Sequence, residues 1–507
     1  MGDRTSAVHV ARGVSFLWIQ TLTTTLFQVV AFAIIARLIS PSQMGLLAIL
    51  YLILGLAQLI APLALPSAIV RFVAEELAQG RKQNAAAIFY KSTTISIAIS
   101  AIMSAACFML APSLSAAFST QPIIFQFLAI DVFLSAGLIQ TVSNALVGAQ
   151  KLREYSLATI AYMALRNTLI VALLLVLHDF LWLVCAWVIS DLLYVLIMSI
   201  LVLRVLGLPT FEFSLRRLLR FSLPLMPGNS VGFVYSWYDR ALMLPYTSLP
   251  ELGIYNATLT AFGVLSAIPG GIATALYPAY AEIQTAKGKP GLQDAIHVAS
   301  RYVSFIAIPL ALGLLATAKP ALSLFLGEPY EPGSTALQII TLFFALTVVG
   351  NAFGSIFLLL GETATASAAT TASVAASIVT ALLLLPAFGI NGAATSRGVG
   401  MLVSFALTLA LVRRRMRLSF DLEAFWKSFA ASTAMAIAVW LTQYVFYNRL
   451  LLPAYVIVGA VTYLIGLRLL KAVHPADAQL AVEFLGKRYE PLVNLAGKIL
   501  GIQRPTD

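Results

Sequence analysis

Charge is scarce in this chain. Only 10% of its 507 residues are Asp, Glu, Lys or Arg, while 60% are hydrophobic and the mean hydropathy is +0.91. A soluble domain carries about 25% charged residues, so a soluble globular enzyme is excluded. Cysteine is nearly absent: Cys107 and Cys185 lie in separate apolar segments, read as small buried hydrophobes rather than a disulfide or metal pair. No G-x-x-x-x-G-K-[ST] loop occurs, which removes an intrinsic ATP motor. No His, Cys or carboxylate cluster has metal-ligand spacing, and no resident cofactor is expected. GNSVG (228–232) matches the G-x-S-x-G elbow in letters only, because it lies inside an apolar run with no histidine nearby. It is read as close helix packing, and the chain is not expected to be an enzyme. The first apolar run reaches Ile39 without an A-x-A-like site, which predicts an uncleaved signal anchor.

What is present is hydrophobic length. Apolar runs able to span about 30 Å of hydrocarbon recur from end to end, and runs such as LIVALLLVL are too continuous for a β-barrel. The prediction is an all-α polytopic membrane protein of about fourteen transmembrane helices. They cover 13–39, 43–70, 85–110, 122–147, 155–177, 180–204, 222–246, 252–280, 299–318, 334–360, 363–385, 390–412, 426–446 and 450–470. The net charge of +11 follows from topology. With the N-terminus in the cytoplasm, 26 of the 32 Lys and Arg fall on inside segments. Both termini are therefore expected to be cytoplasmic in the cell membrane, and a nucleic-acid partner is not expected.

The chain also repeats. Pro62, Ala74-Glu75 and Gly80-Arg81-Lys82 recur 207 residues later as Pro269, Ala281-Glu282 and Lys287-Gly288-Lys289. Upstream, ARLISPSQMGLLAI parallels DRALMLPYTSLPELGIYNA: an arginine ends one helix, a turn follows, and Gly45 or Gly253 opens the next. This predicts two six-helix lobes plus two C-terminal helices, divided as 1–204, 205–412 (after a basic loop), 413–470 and a cytoplasmic amphipathic tail at 471–507. Lys487, Arg488 and Lys498 in that tail suit an anionic inner leaflet. TATASAATTASVAAS, in the eleventh helix, reads as a tight small-residue interface.

Seven ionisable residues fall inside the spans: Arg37, Asp131, Arg166, Asp191, Asp239, Arg240 and Arg397. Each costs several kcal/mol facing lipid, roughly 3 on insertion scales, so such residues turn toward protein or water. Asn229, Ser236 and Arg240 lie within about 40° on one side of their helix. Thr21, Thr24 or Thr25, and Gln28 form a second polar stripe, on the first helix. These stripes are expected to line a shared cavity. Asp239 pairs with a nearby cation, caps a broken turn or carries a coupling proton. Asp131 and Asp191 either bind a coupling H⁺ or Na⁺ or neutralise Arg166.

ARLISPSQMGLLAI, SLPLMPGN, YDRALM, LGIYNA and ALYPAYAE, in that order, resemble the polysaccharide transporter (oligosaccharide flippase) family of the multidrug/oligosaccharidyl-lipid/polysaccharide exporter superfamily. The similarity covers essentially the whole chain. It implies translocation of polyprenyl-(pyro)phosphate-linked sugars to the outer leaflet by alternating access. The implied partners are that lipid-linked oligosaccharide, membrane lipids and glycan-assembly enzymes, with a monomer as the working unit. On this resemblance Arg166, Arg240, Arg397 and Arg37 are the candidate phosphate contacts, since a guanidinium forks onto two oxygens and stays charged when desolvated. A cation-coupled drug exporter of the same superfamily is the alternative, opposed by the excess of arginine over carboxylate in the spans. A membrane glycosyltransferase or polymerase is a further one, opposed by the short outer loop at 319–333, whose acids are Glu328 and Glu331.

Overall fold

Without water inside a bilayer each backbone N–H and C=O must be satisfied within its own segment, so apolar runs of this length fold as helices. The computed structural model describes residues 2–208, 214–354, 356–415 and 420–472. Helices α1 to α8 span Gly2–Leu38, Pro41–Ile60, Leu65–Ala78, Lys82–Ala117, Pro122–Val132, Gln140–Gly148, Leu152–Leu177 and Leu181–Leu206. Helices α9 to α16 span Leu215–Ser222, Met226–Met243, Leu249–Phe325, Ser334–Thr347, Ile356–Leu359, Thr363–Arg415, Leu422–Val445 and Leu452–Leu469. No strand occurs among the described residues.

Eleven helices in the described residues are long and apolar enough to cross a membrane. Two of these are too long to be single crossings. At 77 residues α11 would run about 115 Å if straight; Gly288, at φ 65°, divides it, and Gly389, at φ 49°, divides α14. Glycine adopts this left-handed backbone without a Cβ penalty. With α10, an 18-residue helix of more polar content that is not among those eleven, helical segments lie at each of the fourteen positions read from the sequence.

Local chemistry sets several of the boundaries. Ser40 caps α2: its Oγ accepts the Gln43 N–H at 3.3 Å while its own N–H donates to Gln43 Oε1 at 2.9 Å, and Pro41 takes the first helical position. The run read as one helix over 43–70 is two, α2 and α3, because Leu63 and Ala64 adopt positive φ beside Pro62. The run at 122–147 contains a π-helical segment, Phe133–Ile139, between α5 and α6. Arg37 and Arg240 each lie in the last turn of their helices, where a cation offsets the helix dipole. Cys107 and Cys185 are both buried and unbridged.

The chain divides into two units, residues 1–241 with 248–253, and residues 242–247 with 254–507. In the first, a continuous apolar core joins α3, α4, α6 and α8 through Leu65, Ile69, Ile88, Leu146 and Met198. Gly45 and Gly253, the two glycines of the sequence repeat, back onto one another here. A methyl group on Gly253 would collide with the Pro41 carbonyl oxygen and one on Gly45 with that of Leu249. Gly253→Ala is therefore expected to cost about 1–3 kcal/mol, the usual penalty of overpacking, read as a lowered thermal midpoint in detergent. Gly228 and Gly232 do not fit the close packing expected of GNSVG. No heavy atom of the described residues lies within 4 Å of a Cβ built at either, and Gly228, Asn229 and Gly232 are exposed.

In the second unit the small-residue stripe does form an interface. Ser373, Ser377 and Ala381 are buried, Ser377 abuts Gly400 across the α14 bend, and Gly398 abuts Phe343 of α12. At the start of α15, the buried Asp421 accepts from the Ala424 N–H at 2.8 Å and from Arg301 Nε at 2.7 Å, with His297 Nε2 at 3.5 Å. Burial alone would raise this carboxyl, but the Ala424 N–H and the Arg301 guanidinium outweigh it and hold Asp421 below the usual carboxylate range. A lowered folded-state value means the stabilisation is complete above about pH 4, the unfolded value, and is lost as pH falls through the folded one. Arg301→Ala is expected to cost about 1–3 kcal/mol at neutral pH. It should also reduce the loss of thermal stability expected of the wild type below about pH 4. The amphipathic tail at 471–507 lies outside the described residues, apart from Lys471 and Ala472.

Candidate functional site

Six of the seven predicted ionisable residues lie in the first unit, and five of them form two groups. The first joins α5, α7 and α8. Arg166 Nη1 on α7 donates to Asp191 Oδ1 on α8 at 3.0 Å, and Tyr162 Oη donates to the same oxygen at 2.6 Å. Arg166 Nη1 also reaches the Tyr162 hydroxyl. Indole and phenol faces close the arrangement: the Arg166 guanidinium stands 5.0 Å from the Trp187 ring and 5.8 Å from Tyr162. Tyr194 stacks on Tyr162 at 4.3 Å, and Tyr51 of α2 lies 4.9 Å from Trp187. Asp131 on α5 completes the group. It is fully buried, within hydrogen-bonding reach of Asp191 and close to Arg166.

The sequence singled out the three charged members but not Tyr162, Trp187 or Tyr51. A signal for two of these exists: Tyr162–Arg166 and Trp187–Asp191 are each i,i+4, the spacing that places side chains on one helix face. The ion pair is close and largely withdrawn from solvent, with side-chain exposures of 17% for Arg166 and 1% for Asp191. Arg166 thus combines two sequence expectations, a cation at membrane depth and a partner for Asp191.

The second group is Asp239–Arg240 on α10. Asp239 is fully buried and its Oδ1 accepts the Arg240 backbone N–H at 2.8 Å. The Arg240 Nε lies 4.0 Å from that oxygen, a looser pairing than Arg166–Asp191, and its guanidinium is braced 4.3 Å from the Trp237 ring. Asp239 lies inside the continuous α10, not at a broken turn. Arg37, at the end of α1, is exposed. In the second unit Arg397 is buried in α14, just before the Gly398 and Gly400 contacts.

The polar stripes have mostly local partners. Thr21 Oγ1 donates to the Leu17 carbonyl, Thr24 to that of Gln20, and Ser236 to that of Gly232. Such back-bonding uses each hydroxyl proton within the helix and leaves the oxygen able to accept. The Gln28 amide approaches Met163 Sδ at 3.8 Å, and Asn229 is exposed.

A long all-α chain with eleven described helices apolar enough to cross a membrane has the architecture of a polytopic membrane protein. The chain belongs to the polysaccharide biosynthesis protein family, whose model matches residues 34–335. A curated relative from Haloferax volcanii, named "Probable low-salt glycan biosynthesis flippase", is 21% identical over 199 residues. That match covers 39% of this chain and 42% of the relative, so the chain spans less than half of the curated relative's length. Among solved structures the lipid II flippase MurJ, in an inward closed conformation, superposes with a TM-score of 0.69 at 14% identity. The superposition covers 89% of this chain and 98% of MurJ. An inward-facing multidrug resistance transporter of the MATE family superposes at 0.59 with 14% identity, over 80% of this chain and 98% of that one. At such identities the likeness is one of fold. The resemblance read from the sequence motifs is borne out at the level of the family, and the chain is a multi-pass membrane protein of this fold.

Proposed function

We propose that the protein carries polyprenyl-(pyro)phosphate-linked oligosaccharide from the cytoplasmic to the outer leaflet of the cell membrane. It works as a monomer with both termini in the cytoplasm, by alternating access along a hydrated, cationic route. The observation that supports this most is the sign of the charge inside the spans. Four arginines face three aspartates, and one of those aspartates is closely bound by Arg166. A phosphate is the part of a lipid-linked sugar most costly to move through hydrocarbon. Arg240 and Arg397, with Arg37 at an outer end, are assigned to that phosphate, while Arg166 holds the charge of Asp191.

The rival readings fit less well. A carrier of organic cations calls for accessible carboxylates, whereas Asp131, Asp191 and Asp239 are all fully or almost fully buried. A polymerase would use the outer acids, but Glu328 pairs with Arg449 at 2.6 Å and Glu331 with Lys319 at 2.7 Å. Native mass spectrometry separates the readings. A polyprenyl-pyrophosphate sugar should be retained, and an uncharged polyprenol or an organic cation should not. Retention of the organic cation alone would favour the exporter.

A further inference from the structure

The α5–α7–α8 cluster is one positive charge short. It holds two carboxylates, Asp131 and Asp191, and a single guanidinium, Arg166. Asp131 is fully buried, and among the described residues neither of its oxygens meets a hydrogen-bond donor. Asp191 Oδ2 lacks one as well, while its Oδ1 takes both Tyr162 and Arg166. The two carboxyl groups lie within hydrogen-bonding reach of each other. Two carboxylates facing each other in a site closed to water repel, and each loses its hydration.

Among the described residues the neighbouring elements supply no second cation. From α2 comes Tyr51, from α7 Tyr162 and Arg166, and from α8 Asp191, Tyr194 and Trp187. Helix α4, which packs on α5 and the π-helical segment, carries no ionisable side chain between Lys91 and Cys107. A single proton on Asp131, donated to Asp191, balances the charge and gives the facing oxygens a bond. It requires no ligand shell and no rearrangement, whereas a sodium ion would need several oxygens.

We propose that Asp131 and Asp191 share one exchangeable proton, and that its release and return drive the transport cycle. The coupling rests on the transport reading above; the shared proton does not. With the proton bound, Arg166 and Asp191 cancel and Asp131 is neutral. On release the proton leaves Asp131 for water admitted beside Arg166, whose side chain is partly open to solvent and stays charged throughout, and the cluster carries one net negative charge. The repulsion then acts between α5 and α8, two residues before the π-helical Phe133–Ile139. Such π-helical segments are rare and occur frequently at functional sites. Gly137 within it abuts Ser100 of α4, so a shift of α5 is passed to that helix.

Infrared difference spectroscopy of the reconstituted protein, without substrate, reads the proton directly. The wild type should show the C=O stretch of a protonated carboxyl that vanishes as pH is raised, and Asp131→Asn should lack it. In vesicles with lipid-linked oligosaccharide, an imposed pH gradient should accelerate wild-type flipping, and in Asp131→Asn the ratio of rates with and without the gradient should fall to one. The proposal is overturned if no such band appears at any pH, if the band persists in the variant, or if sodium at fixed pH removes it. An unchanged gradient ratio in the variant overturns the coupling. The wild-type titration needs no variant to fold. A titrating band in a protein that flips nothing would keep the proton site and sink the transport reading.

Discussion

Replacing Arg166 with alanine is expected to destabilise the folded protein by about 3–5 kcal/mol, the cost of leaving one member of a buried ion pair without its partner. The loss has named parts. Asp191, 1% exposed, keeps only the Tyr162 hydroxyl at 2.6 Å, and the Trp187 face loses its cation. Removing both charges together, as Arg166→Leu with Asp191→Asn, should cost markedly less than the sum of the single changes, because neither charge is then stranded. Thermal unfolding in detergent of the two single variants and the double variant measures this coupling. Additive costs would mean that the 3.0 Å contact contributes nothing to the fold.

Arg240→Ala is expected to slow flipping by roughly 10–100-fold, from the loss of one charge-assisted contact of about 1.5–3 kcal/mol. Stability should change little by comparison, since the Asp239 carboxylate keeps its 2.8 Å bond to the residue 240 backbone N–H in the variant. Arg240→Lys is the informative partner. It retains the charge but not the planar fork or the stacking 4.3 Å from Trp237, so it should recover part of the rate and not all of it. A lysine variant as fast as wild type would reduce the role of Arg240 to charge alone. Flipping at the wild-type rate in Arg240→Ala would remove the residue from the phosphate route.

The helices were the most legible part of the sequence. Bilayer thickness fixes their length, and Gly288 and the PAFGING bend at Gly389 fall where the sequence places joints. The two misread segments, at Leu63–Ala64 and Phe133–Ile139, are irregularities inside continuous apolar runs. Hydropathy does not register them, because the same residue types fill either backbone. At the candidate site the sequence marks which residues are costly but not what they meet. Asp131, Asp191 and Asp239 read alike in an apolar run, yet Asp191 is bound by Arg166, Asp239 accepts the N–H of the next residue, and Asp131 faces Asp191. Those differences come from helices 25 or more residues apart in sequence, except at Asp239, where the partner is the next residue. The glycines show the same division. Gly45 and Gly253, which the sequence marks only as opening their helices, are close-contact positions, whereas Gly228 and Gly232, read as close packing, have no described atom within 4 Å of a built Cβ.

The most direct measurement is access of a lipid-linked oligosaccharide to an added glycosidase in sealed vesicles. The sugar begins on the lumenal leaflet, and the enzyme stays outside. Vesicles containing the protein should release sugar faster than empty ones, with the gain reduced by Arg240→Ala. Release no faster than from empty vesicles, with folded protein present in either orientation, would contradict the flippase assignment.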